Sequence, residues 1–181
     1  MKFTYLLLLF MVFQACVEGK ETPSEEAEVS EEIDKAESYT NTDGKIAVYN
    51  FEGLEPEFSK SNDTTYIVNF WATWCKPCIK ELPYFEEINS KYSEDKVKVM
   101  LVSLDDPKKL DSQLLPFVEK HQLNSTVVLL DDPAANTWIP MVSPEWSGSI
   151  PATLMIKNGA RKFYERSFTY NELETELKTI L

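Results

Sequence analysis

Two cysteines with two residues between them, Cys75 and Cys78, are the residues in this 181-residue chain best suited to chemistry. They stand in Trp74-Cys75-Lys76-Pro77-Cys78, directly after an apolar run at 66–71. Such a pair can open and close a disulfide. Exchange needs one thiolate that attacks and a second thiol that resolves the mixed disulfide. If 66–71 is a buried strand and 76–92 a helix, Cys75 sits at the N-cap edge of that helix. Unpaired N–H groups there favour a thiolate. Lys76 adds a positive charge, and Pro77 suits a first helical turn, where no N–H is required. The expected roles are nucleophile for Cys75, with its sulfur facing outward, and shielded resolver for Cys78. Trp74 is expected on the rim of the site, and Lys76 and Pro77 on its substrate-facing surface.

A CxxC can also be half of a zinc site, but zinc needs further Cys or His ligands. The one histidine, His121, is expected at the surface near another helix's C-terminus. A Cu(I) module would use the same soft thiolates, yet no supporting Met or His stands near them in the sequence. No cofactor beyond the redox-active disulfide is expected. A net charge of −12 argues against a nucleic-acid partner.

The elements that must position the pair follow from the rest of the chain. Hydrophobic content of 43% and aromatic content of 12% support a substantial core. Residues 1–16 combine Lys2 with an apolar stretch at 5–13 that is too short to span a bilayer. Ala15-Cys16 resembles the cleavage site of bacterial lipoprotein signals, with Phe13 and Gln14 departing from the usual residues there. Cys16 is therefore expected to carry lipid, with ordinary secretion, an uncleaved anchor or a plain free thiol as the alternatives. Lipidation, secretion or an anchor each places the domain outside the cytoplasm, in the cell envelope or periplasm, and lipidation leaves Cys75 and Cys78 as the only free thiols. Residues 17–44 hold ten acidic and two basic side chains and few large apolar ones, the composition of a disordered, self-repelling tether.

The domain proper is expected over 45–181. A first strand is read from Ile46, Val48 and Phe51, then a short turn or helix at 54–58. Strands follow at 66–71, 97–104 and 126–130. A helical stretch at 107–121 is split by Pro116. A short helix is expected at 131–138, and a loop at 140–148. A hairpin over 152–157 and 160–165 turns on Asn158-Gly159, and an amphipathic helix closes the chain at 169–181. Alternating strands and helices ending on a hairpin give an α/β fold with a mixed central sheet flanked by helices.

NFWATWCKPCIKELP, the strand VKVMLVSL, Ser149-Ile150-Pro151-Ala152-Thr153 and the KNG hairpin resemble the thioredoxin-like envelope oxidoreductases of the TlpA/ResA kind. The resemblance covers about 45–181. It implies a thioredoxin fold with an N-terminal extension and a central strand–helix insertion. It also implies that Pro151 is cis and lies against the disulfide, with the backbone of Ile150 pairing a substrate chain. Thioredoxin's buried Asp is replaced by Asn69, which cannot exchange a proton. The family's glutamate beside the thiols corresponds to Glu81, three residues after Cys78. Pro83 is expected to kink the helix. Trp71 is read as core or rim, and Trp146 as loop packing or a cover over the disulfide. The implied activity is reduction of disulfides in envelope proteins, apocytochrome c among them, with a membrane thiol reductase as electron donor. An oxidase or isomerase direction, or a binding protein without redox function, stays open on sequence.

Overall fold

The computed structural model describes residues 38–40, 46–60 and 62–181. Cys16 and the proposed signal segment lie outside them, as does most of the acidic stretch. Seven strands form one sheet in the order β1-β2-β5-β4-β3-β6-β7. They are β1 (Ser38–Thr40), β2 (Ala47–Tyr49), β3 (Thr65–Trp71), β4 (Val97–Ser103), β5 (Thr126–Leu130), β6 (Ala152–Lys157) and β7 (Ala160–Tyr164). The four strands β2, β5, β4 and β3 run parallel, while β1, β6 and β7 join antiparallel to their neighbours. The helices are α1 (Phe51–Phe58), α2 (Lys76–Lys91), α3 (Leu115–His121), α4 (Ala135–Val142) and α5 (Tyr170–Lys178).

β3 is the central strand, and all seven of its residues are buried. Side chains alternate across the sheet, so it feeds two cores. Ile67 and Trp71 face Leu82, Phe85 and Ile88 of α2 and Leu173 and Leu177 of α5. Tyr66, Val68 and Phe70 face Phe51, Leu54 and Phe58 of α1 and Trp138 and Val142 of α4. Helices on both faces explain why this strand is apolar throughout save for Thr65 and Asn69.

Several expected boundaries move. Phe51 does not extend the first strand. The side chain of Asn50 accepts from Gly53 N at 2.9 Å and caps α1, so Phe51, Leu54 and Phe58 fall on one helical face. Ser38–Thr40, inside the stretch expected to be tether, pairs antiparallel with β2. The predicted split at Pro116 takes the form of a 3-10 turn at Pro107–Lys109, a π turn at Leu110–Leu114 and then α3, with Pro116 in its first turn. The helix expected at 131–138 begins later and continues through Pro140 to Val142, where a loop was expected. Burial of Trp138 and Val142 outweighs the hydrogen bond that Pro140 cannot make. Asp132 organises the approach to α4 by accepting from Ala134 N at 2.8 Å and from Phe51 N at 3.0 Å. The hairpin forms as expected, with positive φ at Asn158 and Gly159, the requirement of a two-residue type I′ turn.

Candidate active site

β3 ends at Trp71, and a tight turn carries the chain to Cys75, whose N–H donates to the Ala72 carbonyl at 3.0 Å. Cys75 is the N-cap of α2. Its Sγ takes the place of a capping oxygen, accepting from Cys78 N at 3.3 Å. A sulfur in that position receives both an N–H and the positive end of the helix dipole. Cys75 and Cys78 are joined as a disulfide. Cys75 is the more exposed of the pair, but only slightly, at 5% against 0% for Cys78. Trp74 is 64% exposed, and Lys76 and Pro77 are also exposed.

The opposite wall is the Ile150–Pro151 peptide, which is cis. The Ile150 carbonyl lies 3.8 Å from Cys75 Sγ. Two side chains shape the approach to it. Trp146 Nε1 donates to the Ser149 carbonyl at 2.8 Å, and Glu165 accepts from the N–H groups of Ser147 and Ser149 at 3.0 Å each. These contacts hold the Glu165 carboxyl below the usual carboxylate range, the Ser147 hydroxyl contributing most. Trp146 does not cover the disulfide. Its ring is buried against Phe70, Trp138 and Phe163. Trp71 belongs to the core rather than the rim, packing at 5.4 Å on Phe117, with its Nε1 lacking an acceptor.

One turn after Cys78, on the same buried face of α2, lies Glu81, 1% exposed. Its Oε2 accepts from Phe168 N at 2.7 Å and its Oε1 from Asn69 Nδ2 at 3.1 Å. Burial pushes its carboxyl up to about 7, against the opposing pull of those two bonds and of the Arg166 charge. A carboxyl in that range can hold or accept a proton at neutral pH. Asn69 extends the connection, its Nδ2 also lying 3.1 Å from Thr153 Oγ1 and 3.5 Å from the Ala152 carbonyl. Glu81 is thereby tied through β3 to the residues that follow Pro151. Pro83 sits within α2, which continues past it to Lys91.

His121 ends α3 and stacks on Phe117 at 4.1 Å between ring centroids. Among the described residues, no group of three or more His, Cys, Asp or Glu is arranged to hold a metal ion. Three polar residues of this region were given no role from the sequence, although Thr153 stands within the quoted motif around Pro151. Glu165 and Thr153 look like ordinary strand-end and strand residues. Asp105, beside the N-capping Asp106, reads as part of a polar turn, yet it is 3% exposed and binds the turn before Cys75.

The model of the AhpC/TSA family matches residues 34–160. The thiol–disulfide oxidoreductase ResA of Geobacillus thermodenitrificans is 29% identical over 132 residues, 71% of this chain and 70% of that protein. ResA of Bacillus anthracis is 34% identical over 84 residues, 46% of this chain and 47% of that protein. Among solved structures, a thioredoxin-family thiol:disulfide interchange protein from Chlorobium tepidum superposes with a TM-score of 0.58 at 17% identity, covering 80% of this chain and 92% of its own. A thiol–disulfide oxidoreductase structure from Bacteroides vulgatus gives a TM-score of 0.56 at 22% identity, covering 81% and 92%. The two structures share the overall fold, and the family match spans the cysteine pair and the cis proline. The chain therefore belongs to the AhpC/TSA family and has its thioredoxin-like fold.

Proposed function

We propose that this chain, a thiol–disulfide oxidoreductase, works as a reductase of disulfides in envelope proteins, with Cys75 as nucleophile and Cys78 as resolving thiol. The supporting observation is the Cys75–Cys78 pair at the N-terminus of α2, facing the cis Ile150–Pro151 peptide. In the reduced protein the Cys75 thiolate attacks one sulfur of a substrate disulfide. A mixed disulfide forms, and the other substrate sulfur leaves as a thiolate that takes up a proton. Cys78 then loses its proton and attacks Cys75 Sγ. The Cys75–Cys78 bond re-forms, the second substrate sulfur leaves Cys75 as a thiolate that also takes up a proton, and the substrate departs as a dithiol carrying the two electrons.

Glu81 is assigned as acceptor of the Cys78 proton. Burial near neutrality and a place one turn along α2 support that role. Trp74, Lys76 and Pro77 form the exposed surface a substrate meets. The backbone of Ile150 pairs with the substrate chain as a short added strand. A membrane thiol reductase returns two electrons to the pair. Substrates are envelope proteins with accessible disulfides, apocytochrome c among them. Cys16 carries the lipid anchor, and the acidic residues after it space the domain from the membrane. No helix among the described residues is long and apolar enough to cross a membrane.

The test is turnover of a protein disulfide such as that of insulin, with dithiothreitol as electron source. The expected result is catalytic reduction by the wild type, none by Cys75→Ser, and accumulated mixed disulfide with Cys78→Ser. Equal rates for wild type and Cys75→Ser would overturn the reading.

A further inference from the structure

The turn that delivers Cys75 is gripped by one buried carboxylate. Asp105 lies just past the end of β4 and is 3% exposed. Its Oδ2 accepts from Thr73 N at 3.0 Å and from Ser103 Oγ at 2.8 Å. Its Oδ1 accepts from Thr73 Oγ1 at 2.6 Å and from Gln113 Nε2 at 3.4 Å. Gln113 Nε2 also reaches Thr73 Oγ1 at 2.5 Å. All of these donors are neutral. Thr73, two residues before Cys75, thus has both its backbone N–H and its hydroxyl committed to the same carboxylate.

The bonds join three separate elements at one point: the β3–α2 turn, the end of β4, and the π turn Leu110–Leu114 that carries Gln113. Single π turns inside helices are irregularities often found at functional sites. Here the irregularity places Gln113 on Thr73. A buried charge whose donors are all neutral is costly unless its hydrogen bonds are complete. This one spends its bonds on the segment between β3 and the N-cap sulfur. The turn in question also sets where Cys75 Sγ meets Cys78 N.

We infer that Asp105 is a positioning residue of the dithiol: acting through Thr73, it fixes the turn that seats Cys75 Sγ on the Cys78 N–H and so sets the reactivity of Cys75. The inference rests on the reading of Cys75 as nucleophile and adds a residue that does not itself touch substrate.

The experiment compares full-length wild type, Asp105→Asn, Thr73→Val and Thr73→Ser. Fully reduced protein is alkylated with iodoacetamide at a fixed neutral pH, and labelling of Cys75 is followed by peptide mass spectrometry. Reduction potential, insulin turnover and thermal stability are measured alongside. The expected result is about a tenfold lower alkylation rate of Cys75 in Asp105→Asn, the scale of losing a hydrogen bond to a charged group. Thr73→Val should show a smaller fall in the same direction, and Thr73→Ser, which keeps both donors, should match the wild type. In turnover the loss should appear in kcat rather than KM, and the potential should move.

Three results would overturn the inference. Lower thermal stability with unchanged alkylation and potential would make Asp105 merely structural. A faster Asp105→Asn would show it acting as a bare negative charge that suppresses the thiolate. A Thr73→Val variant indistinguishable from wild type would break the link through the turn, and this variant decides the matter if Asp105→Asn does not fold. Absence of insulin turnover in the wild type would instead count against the reductase reading, since alkylation of Cys75 does not depend on it.

Discussion

Among single residues, Glu81 ties the chemistry to the stability of the fold. An unperturbed glutamate titrates near 4.5, whereas burial raises this one to about 7. Between those values the folded protein holds a proton that the unfolded chain has lost. Stability from the neutral carboxyl is therefore fully present below pH 4.5 and is lost as pH rises through 7. The interval corresponds to about 3 kcal/mol. Urea denaturation of the oxidised protein at pH 4.5 and pH 8 should show the wild type losing about that much more than Glu81→Gln. Asp63, Glu165 and Glu172, all held low by their partners, act in the opposite direction. They are common to both proteins and drop out of the difference. Parallel pH slopes would show that Glu81 does not titrate in this range. Glu81 was singled out in the sequence by the family resemblance, its spacing from Cys78 placing both on one helical face. Its partner Phe168 was not, because a backbone N–H 87 residues away leaves no mark on the sequence.

At the scale of elements, local signals were read correctly wherever a side chain's own chemistry fixes the backbone. Asn158-Gly159 specified its turn, and the apolar run 126–130 specified β5 to the residue. Thr169 behaves in the same way. Its hydroxyl accepts from Glu172 N, and Glu172 accepts from Thr169 N at 2.8 Å, a complete capping box for α5. Thr169→Ala should cost about 1 kcal/mol, seen as a lower thermal midpoint with Cys75 alkylation unchanged. A stability equal to wild type would mean that α5 is held by Leu173 and Leu177 alone. Errors arose where distant packing overrode local preference. Phe51 is a separate case, a local signal overlooked: it followed Ile46 and Val48 in an apolar series, but the Asn50 cap makes it a helix start. Pro140 resembled a stop, yet the core facing Trp138 and Val142 kept α4 helical around it. Pro116, by contrast, acted as its chemistry demands.

Across the whole molecule, the sheet brings together segments remote in sequence. The cysteine turn follows β3, the cis proline precedes β6, and antiparallel pairing of these strands sets Phe70 beside Ala152 and Asn69 beside Thr153. The α/β class and the mixed sheet were legible from alternation. The strand order was not, because pairing partners are chosen by long-range packing. The same holds for Glu165 and Asp105, which brace the proline loop and the cysteine turn from elsewhere in the fold. The acidic residues from 17 onward are expected to keep the domain apart from its anchor. Mass spectrometry of the mature protein from membranes should find Cys16 as an acylated N-terminus, and Cys16→Ala should release the domain to the soluble fraction. A mature chain beginning beyond Cys16 would contradict the anchor.

The most direct measurement for the central claim is capture of the reaction intermediate. Cys78→Ser, produced in the cell envelope and quenched with acid, should yield mixed disulfides that map to Cys75 by peptide mass spectrometry. These should dissolve on reduction and be missing from Cys75→Ser/Cys78→Ser. A folded, exported Cys78→Ser protein whose Cys75 carries no partner would contradict the assignment of Cys75 as the nucleophile of a protein disulfide reductase.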